Sequence, residues 1–160
     1  MKVKINNILN ELLVDTFNDI VTIEQKALQS GIFKDLSVTE IHTIDAIGMY
    51  GSRTMSEVSA DLDITMGTLT TAINHLVRKE YVERKRSELD RRIVKIKLTK
   101  KGKLAYRIHE KFHSDMINAT IESLTEEEER VLVKSLEKLN IFLKSKYNLK
   151  SKSKKGEKND

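Results

Sequence analysis

The chain has no cysteine, no proline and no tryptophan in its 160 residues. Without cysteine there is no disulfide, no thiolate metal ligand, no cysteine nucleophile and no thiol redox sensor. Aromatic residues are scarce, four Phe and four Tyr, too few for a protein that holds single strands by stacking bases on rings. No apolar run approaches the ~18–20 residues that span a bilayer. The opening segment MKVKINNILNE breaks its apolar stretch with Asn and Glu, unlike a secretory signal. These absences lead to the expectation of a soluble, cytoplasmic protein that takes no membrane as partner. What the chain does have is charge, 29 basic against 24 acidic residues, and a length that suits one domain.

The charge is unevenly placed. Residues 1–77 carry 5 basic and 10 acidic side chains, and residues 78–103 carry 12 and 4. Residues 104–145 carry 6 and 8, and residues 146–160 carry 6 and 2. One window of net +8 therefore lies within an otherwise acidic body, the electrostatic footprint of a nucleic-acid contact. The Lys-rich end, residues 147–160, has too few apolar residues to order itself and is expected to be a disordered tail.

Hydrophobic periodicity predicts mostly helix. Over residues 5–29, Ile5, Ile8, Leu9, Leu12, Ile20, Ile23 and Ala27 follow a 3.6-residue period, widened by Leu13, Phe17, Val21 and Leu28. A helix apolar on more than one face needs two partners, its own core and a further surface such as another subunit. Capping boxes at Ser37–Glu40, Thr54–Glu57 and Thr125–Glu128 mark three helix starts. The expected helices then run from Val38 to Met49, Met55 to Leu62, Thr65 to Lys79, Thr99 to Ser123 and Thr125 to Lys146. Two β signals interrupt them, Tyr81–Arg86 and the alternating Val94–Leu98, joined by the turn-forming Ser87-Glu88-Leu89-Asp90. The fold class expected is mainly α: six helices and a two-stranded β wing. The third and fourth helices, joined at Asp63-Ile64, make a helix-turn-helix.

The second helix of such a unit enters the major groove. With Leu69, Ile73 and Leu76 inward, Gly67, Thr71, Asn74 and Arg78 fall on the opposite face. Thr65, Thr68 and Thr70 complete a hydroxyl-rich first turn that either meets DNA or merely caps the helix. The wing favours DNA. Arg84 and Arg86 precede its turn, Arg91 and Arg92 close it, and a tip arginine suits a narrow minor groove. Asp90 could pair with a neighbouring arginine and support the wing. Lys100, Lys101 and Lys103 crowd a helix start, where cations oppose the dipole and DNA phosphate would supply the counter-charge. Two other classes compete with this reading. His42 and Asp45 stand three apart and could form an acid–base pair, but no phosphate loop or nucleophile elbow accompanies them, so no enzyme is expected. A helical adaptor that never touches DNA explains the amphipathic helices but not the wing.

The run Lys79-Glu80-Tyr81-Val82-Glu83-Arg84, then Asp90-Arg91-Arg92, Leu98-Thr99 and Gly102, resembles the MarR family of winged helix-turn-helix regulators over residues 5–145. The resemblance implies a homodimer joined through its first and last helices, on a pseudo-palindromic DNA site, with Arg92 in the minor groove. It divides the chain into an N-terminal dimerisation helix at 1–36, a DNA-binding domain at 37–103, C-terminal dimerisation helices at 104–146 and the tail. The stretches Phe33–Ser37, Glu40–Gly48, Thr65–Thr71 and Arg107–His113 are similar to the FabT-type group of repressors of bacterial fatty-acid synthesis genes. That likeness implies long-chain acyl-acyl carrier protein as co-repressor and no required cofactor, with Lys34, Arg53 and Arg107 as candidate contacts for the acidic carrier. A second branch of the family senses metal. His109 and His113, four apart on one helix face, suit a shared ion, and with Glu24 and His42 they are similar to the ligand set of zinc-responsive members. The missing cysteine closes the thiol-oxidation branch.

Overall fold

A computed structural model describes residues 2–149. Of the tail expected to be disordered from residue 147, residues 147–149 instead close α6, with the Tyr147 amide donating to the Leu143 carbonyl and the Leu149 amide to the Lys144 carbonyl, each at 3.0 Å. Residues 150–160 lie outside the described range. The elements in chain order are α1 (Lys2–Ser30), α2 (Val38–Ile47), β1 (Arg53–Thr54), α3 (Met55–Leu62), α4 (Met66–Arg78), β2 (Val82–Arg86), β3 (Val94–Leu98), α5 (Lys100–Ile121) and α6 (Glu126–Lys146). They fall into two compact units, one ending at His42 and one beginning at Thr43. Among the described residues, no helix is long and apolar enough to cross a membrane.

The first unit is α1 and the start of α2. Its capping box forms as the sequence predicts. The Ser37 amide donates to Glu40 Oε2 at 2.8 Å and the Glu40 amide to Ser37 Oγ at 3.2 Å, satisfying two amides that a helix start otherwise leaves orphaned. Phe33, Leu36 and Ile41 are buried. The apolar stripe of α1 is not: Leu12 and Phe17 are each 59% exposed, and Ile8, Leu9 and Val21 are open beside them.

The second unit holds the helix-turn-helix and the wing. Ile44, Ile47, Val58, Leu69, Ile73, Leu76, Tyr81, Val82, Ile96 and Leu98 are its buried core. The sheet has three antiparallel strands in the order β1-β3-β2, not the two expected. Strand β1 pairs Arg53 with Ile96 and Thr54 with Lys95. Two residues cannot display an alternating pattern, so periodicity had nothing to detect. The second helix also stops at Ile47 rather than Met49, because Gly48 turns to φ +79°.

Both ends of the turn system around α4 use acidic residues in the left-handed region. Asp63 (φ 53°) closes α3, with the Ile64 amide donating to the Ser59 carbonyl at 3.1 Å. Glu80 (φ 66°) closes α4, with the Tyr81 amide donating to the Leu76 carbonyl at 2.9 Å and the Glu80 amide to the Val77 carbonyl at 3.0 Å. These are Schellman closures with Asp or Glu where glycine is usual. Helices α5 and α6 leave much of their surface open, and α6 has no buried residue at all.

Candidate nucleic-acid interface

The site is built on α4. Leu69, Ala72, Ile73 and Leu76 bury one side of it, and this fixes which residues face out. Thr65, Gly67, Thr68, Thr71, Asn74 and Arg78 are exposed, and Thr70 is half-buried. The threonine-rich turn caps its helix and also lies at the surface. Thr65 is the N-cap, its hydroxyl accepting from the Thr68 amide at 3.2 Å, and it stays open to solvent. The hydroxyls of Thr70 and Thr71 donate back to the carbonyls of Met66 and Gly67, at 2.8 and 3.2 Å. With those protons committed, the face offers methyl groups and oxygen lone pairs.

Gly67 is informative for what it does not need. A Cβ there would meet nothing closer than Thr65 Oγ1 at 4.0 Å. Glycine in the middle of a helix costs roughly 0.5–1 kcal/mol against alanine and less in the first turn, where Gly67 lies, and no described atom crowds the position. A surface from which the backbone can be approached closely is what that glycine provides.

The wing supplies the charge. Strands β2 and β3 pair Val82 with Leu98, Arg84 with Ile96 and Arg86 with Val94. Arg84, Arg86, Arg91 and Arg92 are exposed. Asp90 braces the tip through the backbone: its Oδ1 accepts from the Arg92 amide at 2.9 Å, where an arginine side chain was the expected partner. The Ile93 amide bonds the Asp90 carbonyl at 3.0 Å and the Ser87 amide bonds the Ile93 carbonyl at 2.8 Å, closing the loop. Lys85 faces Lys95 directly across the strands, a like-charge pairing that disfavours the sheet. Lys85 reaches Glu88 at 3.0 Å and Lys97 reaches Glu83 at 3.1 Å, both in solvent, where such pairs contribute little. Lys97, Lys100 and Lys103 line an open cleft with Gly51, Ser52 and Thr99.

The candidate effector residues come together in two pairs. Buried Glu24 accepts from or pairs with His42, Oε1 to Nε2 at 2.9 Å. His109 and His113 bring their Nε2 atoms to 3.1 Å with rings edge to face at 4.5 Å, and Phe112 lies against His113. Such a histidine pair can either share a proton or offer two nitrogens to one ion. Of the candidate carrier contacts, Lys34 and Arg107 are exposed. Arg53 is committed elsewhere: its Nη1 donates to the Ala46 carbonyl and to Asp61 Oδ2, each at 2.7 Å, tying the end of α2 to α3.

Comparison with known proteins places this arrangement. The sequence profile of the MarR family matches residues 34–93. The structure of Streptococcus pneumoniae FabT in complex with DNA superposes with a TM-score of 0.84 at 46% identity, covering 88% of this chain and 98% of that one. A MarR protein from Peptoclostridium difficile shares the fold at a TM-score of 0.70 and 23% identity, covering 88% and 90%. The Bacillus subtilis regulator PchR is 26% identical over 112 residues, 68% of this chain. The chain spans just under two thirds, 66%, of that relative's length.

Proposed function

Because this chain belongs to the MarR family, and is therefore a DNA-binding transcriptional regulator, we propose that it represses fatty-acid synthesis genes with long-chain acyl-acyl carrier protein as co-repressor. The observation that carries this reading is the 46% identity to the S. pneumoniae FabT chain over 98% of its length. In this reading α4 lies in the major groove, with Gly67 allowing close approach. Thr68, Thr70 and Thr71 present methyl groups and oxygens to base edges or phosphates, and Asn74 is placed for adenine. Arg84 and Arg86 flank the backbone, and Arg91 and Arg92 at the wing tip enter the minor groove, where narrow A·T tracts concentrate negative potential.

A second copy completes the binding unit. The open apolar faces of α1 and α6 are what a homodimer would bury, and two recognition helices about 34 Å apart would read a pseudo-palindrome. Lys34 and Arg107 are the cations left available for an acidic carrier protein. No cofactor is needed for this mechanism. The test is a mobility shift on the DNA upstream of fatty-acid synthesis genes, with free carrier protein and with carrier protein bearing a long acyl chain. Tighter DNA binding with the acylated form alone is expected; equal affinity in both arms overturns the co-repressor reading.

One observation favours a second reading, a zinc-responsive regulator. Two histidine nitrogens 3.1 Å apart are spaced as two ligands of a tetrahedral zinc would be. Titration calorimetry with zinc separates the two readings: micromolar or tighter binding that alters DNA affinity supports the metal, and its absence removes it.

A further inference from the structure

Three consecutive carbonyls leave the recognition helix, and Thr99, the N-cap of α5, and Lys101 in its first turn take up all three. Lys101 Nζ donates to the Lys79 carbonyl at 2.9 Å. Thr99 Oγ1 donates to the Glu80 carbonyl at 2.6 Å. The Thr99 amide donates to the Tyr81 carbonyl at 3.0 Å. The Lys101 ammonium also lies 4.2 Å from the centre of the Tyr81 ring, whose residue is wholly buried. At Gly102 a Cβ would overlap the Tyr81 carbonyl oxygen, so only glycine lets α5 start this close.

The geometry points to Lys101 as a positioning residue for DNA binding, fastening the exit of the recognition helix to α5, and not as a phosphate contact. The turn it grips has Glu80 in the left-handed region, a conformation unfavourable for a residue with a Cβ that persists where surrounding bonds over-determine it. A charge-assisted bond to a carbonyl and a cation over an aromatic face are both stronger than their neutral counterparts. Together they fix the angle at which α4 and β2 leave the turn, and hence how the helix and wing meet one duplex. Lys100 and Lys103, on either side, make no ion pair among the described residues and remain open to phosphate.

The two roles separate in the salt dependence of binding. The full chain is titrated onto the DNA upstream of its own coding region at several salt concentrations, as wild type, Lys101→Met, Lys101→Arg and Lys100→Met. A phosphate contact contributes about 0.9 to the slope of log affinity against log salt. Lys101→Met is expected to lose about tenfold in affinity with the wild-type slope. Lys101→Arg, which keeps the donor and the cation, stays within about twofold, and Lys100→Met lowers the slope. A reduced slope or undiminished affinity for Lys101→Met overturns the inference. The inference rests on the DNA-binding reading, so a second measurement is made without DNA. The Lys101 ε-methylene protons, under the Tyr81 ring current, are expected upfield of the other lysines in the nuclear magnetic resonance spectrum. Ordinary positions for those protons also overturn it, whereas upfield protons in a chain that binds no DNA would count against the DNA reading alone.

Discussion

Helices α4 and α6 carry the same kind of apolar period and meet opposite fates. Helix α4 buries Leu69, Ala72, Ile73 and Leu76. Helix α6 buries nothing, leaving Val131, Val133, Leu136, Ile141 and Phe142 more than half exposed. The difference teaches that a periodic stripe says a face seeks a partner without saying whether the partner lies in the same chain. The stripe of α4 finds it in α3 and the sheet; those of α1 and α6 are still open.

The largest test of that contrast is Leu76→Ala. It leaves a cavity in a closed core and is expected to cost about 2–5 kcal/mol by denaturant unfolding. Phe142→Ala removes a side chain of comparable size and should cost the isolated chain much less. Equal losses measured at concentrations where only monomer exists would erase the distinction. Next comes Phe142→Asp. If the proposed homodimer covers the open face of α6, a charge placed on that face is expected to weaken self-association by about 2 kcal/mol or more. Light scattering reads this as a shift from dimer to monomer, while the helical signal of the DNA-binding unit persists.

Smaller, and opposite in sign for two readouts, is Gly67→Ala. Helix α4 should gain at most about 0.5 kcal/mol, since residue 67 lies in its first turn and the added methyl meets open space. DNA affinity should fall, since the backbone can no longer be approached. A variant that is more stable and binds as well as the parent would show that Gly67 is merely tolerated.

The smallest effect is acid sensitivity at the helix starts. The Thr54 amide bonded to Glu57 holds that carboxyl below its ordinary value, aided by the Thr54 hydroxyl, Arg53 and Lys95 and opposed by slight burial. The Thr125 amide and hydroxyl do the same for Glu128. A depressed folded value means that each cap stabilises the fold above the unfolded value, about pH 4.3. That stabilisation is lost as the pH falls through the lower, folded value. Glu57→Gln should therefore flatten the stability profile between about pH 5 and pH 3. An unchanged profile would mean the cap holds without its charge.

Much of this was legible before the structure. The capping boxes at Thr54 and Thr125 form with both reciprocal bonds, because their chemistry is local and four residues long. Helix α3 and strand β3 have the expected limits, Met55–Leu62 and Val94–Leu98, since strong alternation or a clear cap bounds each. What escaped depends on residues far apart in the chain. Strand β1 exists only because residue 53 meets residue 96. Lys101 reads as one lysine among three until the Lys79 carbonyl and the Tyr81 ring are brought to it. Arg53 reads as a surface cation until Asp61 folds over to pair with it. The orientation of the Thr70 and Thr71 hydroxyls was equally hidden, because back-bonding to the preceding turn leaves no trace in residue type.

Strand β1 also gives the wing a mechanical character. Ile96 and Lys95 are held from both sides, by Arg53 and Thr54 on one edge and by Arg84 and Lys85 on the other. Beyond them, from Arg86 round to Val94, the hairpin has only itself. The wing is thus a cantilever, built in at a three-stranded root and free at a two-stranded tip. Bending should concentrate at the junction, so that in the proposed DNA complex the tip arginines would follow grooves of differing width while the root keeps its registration with α3.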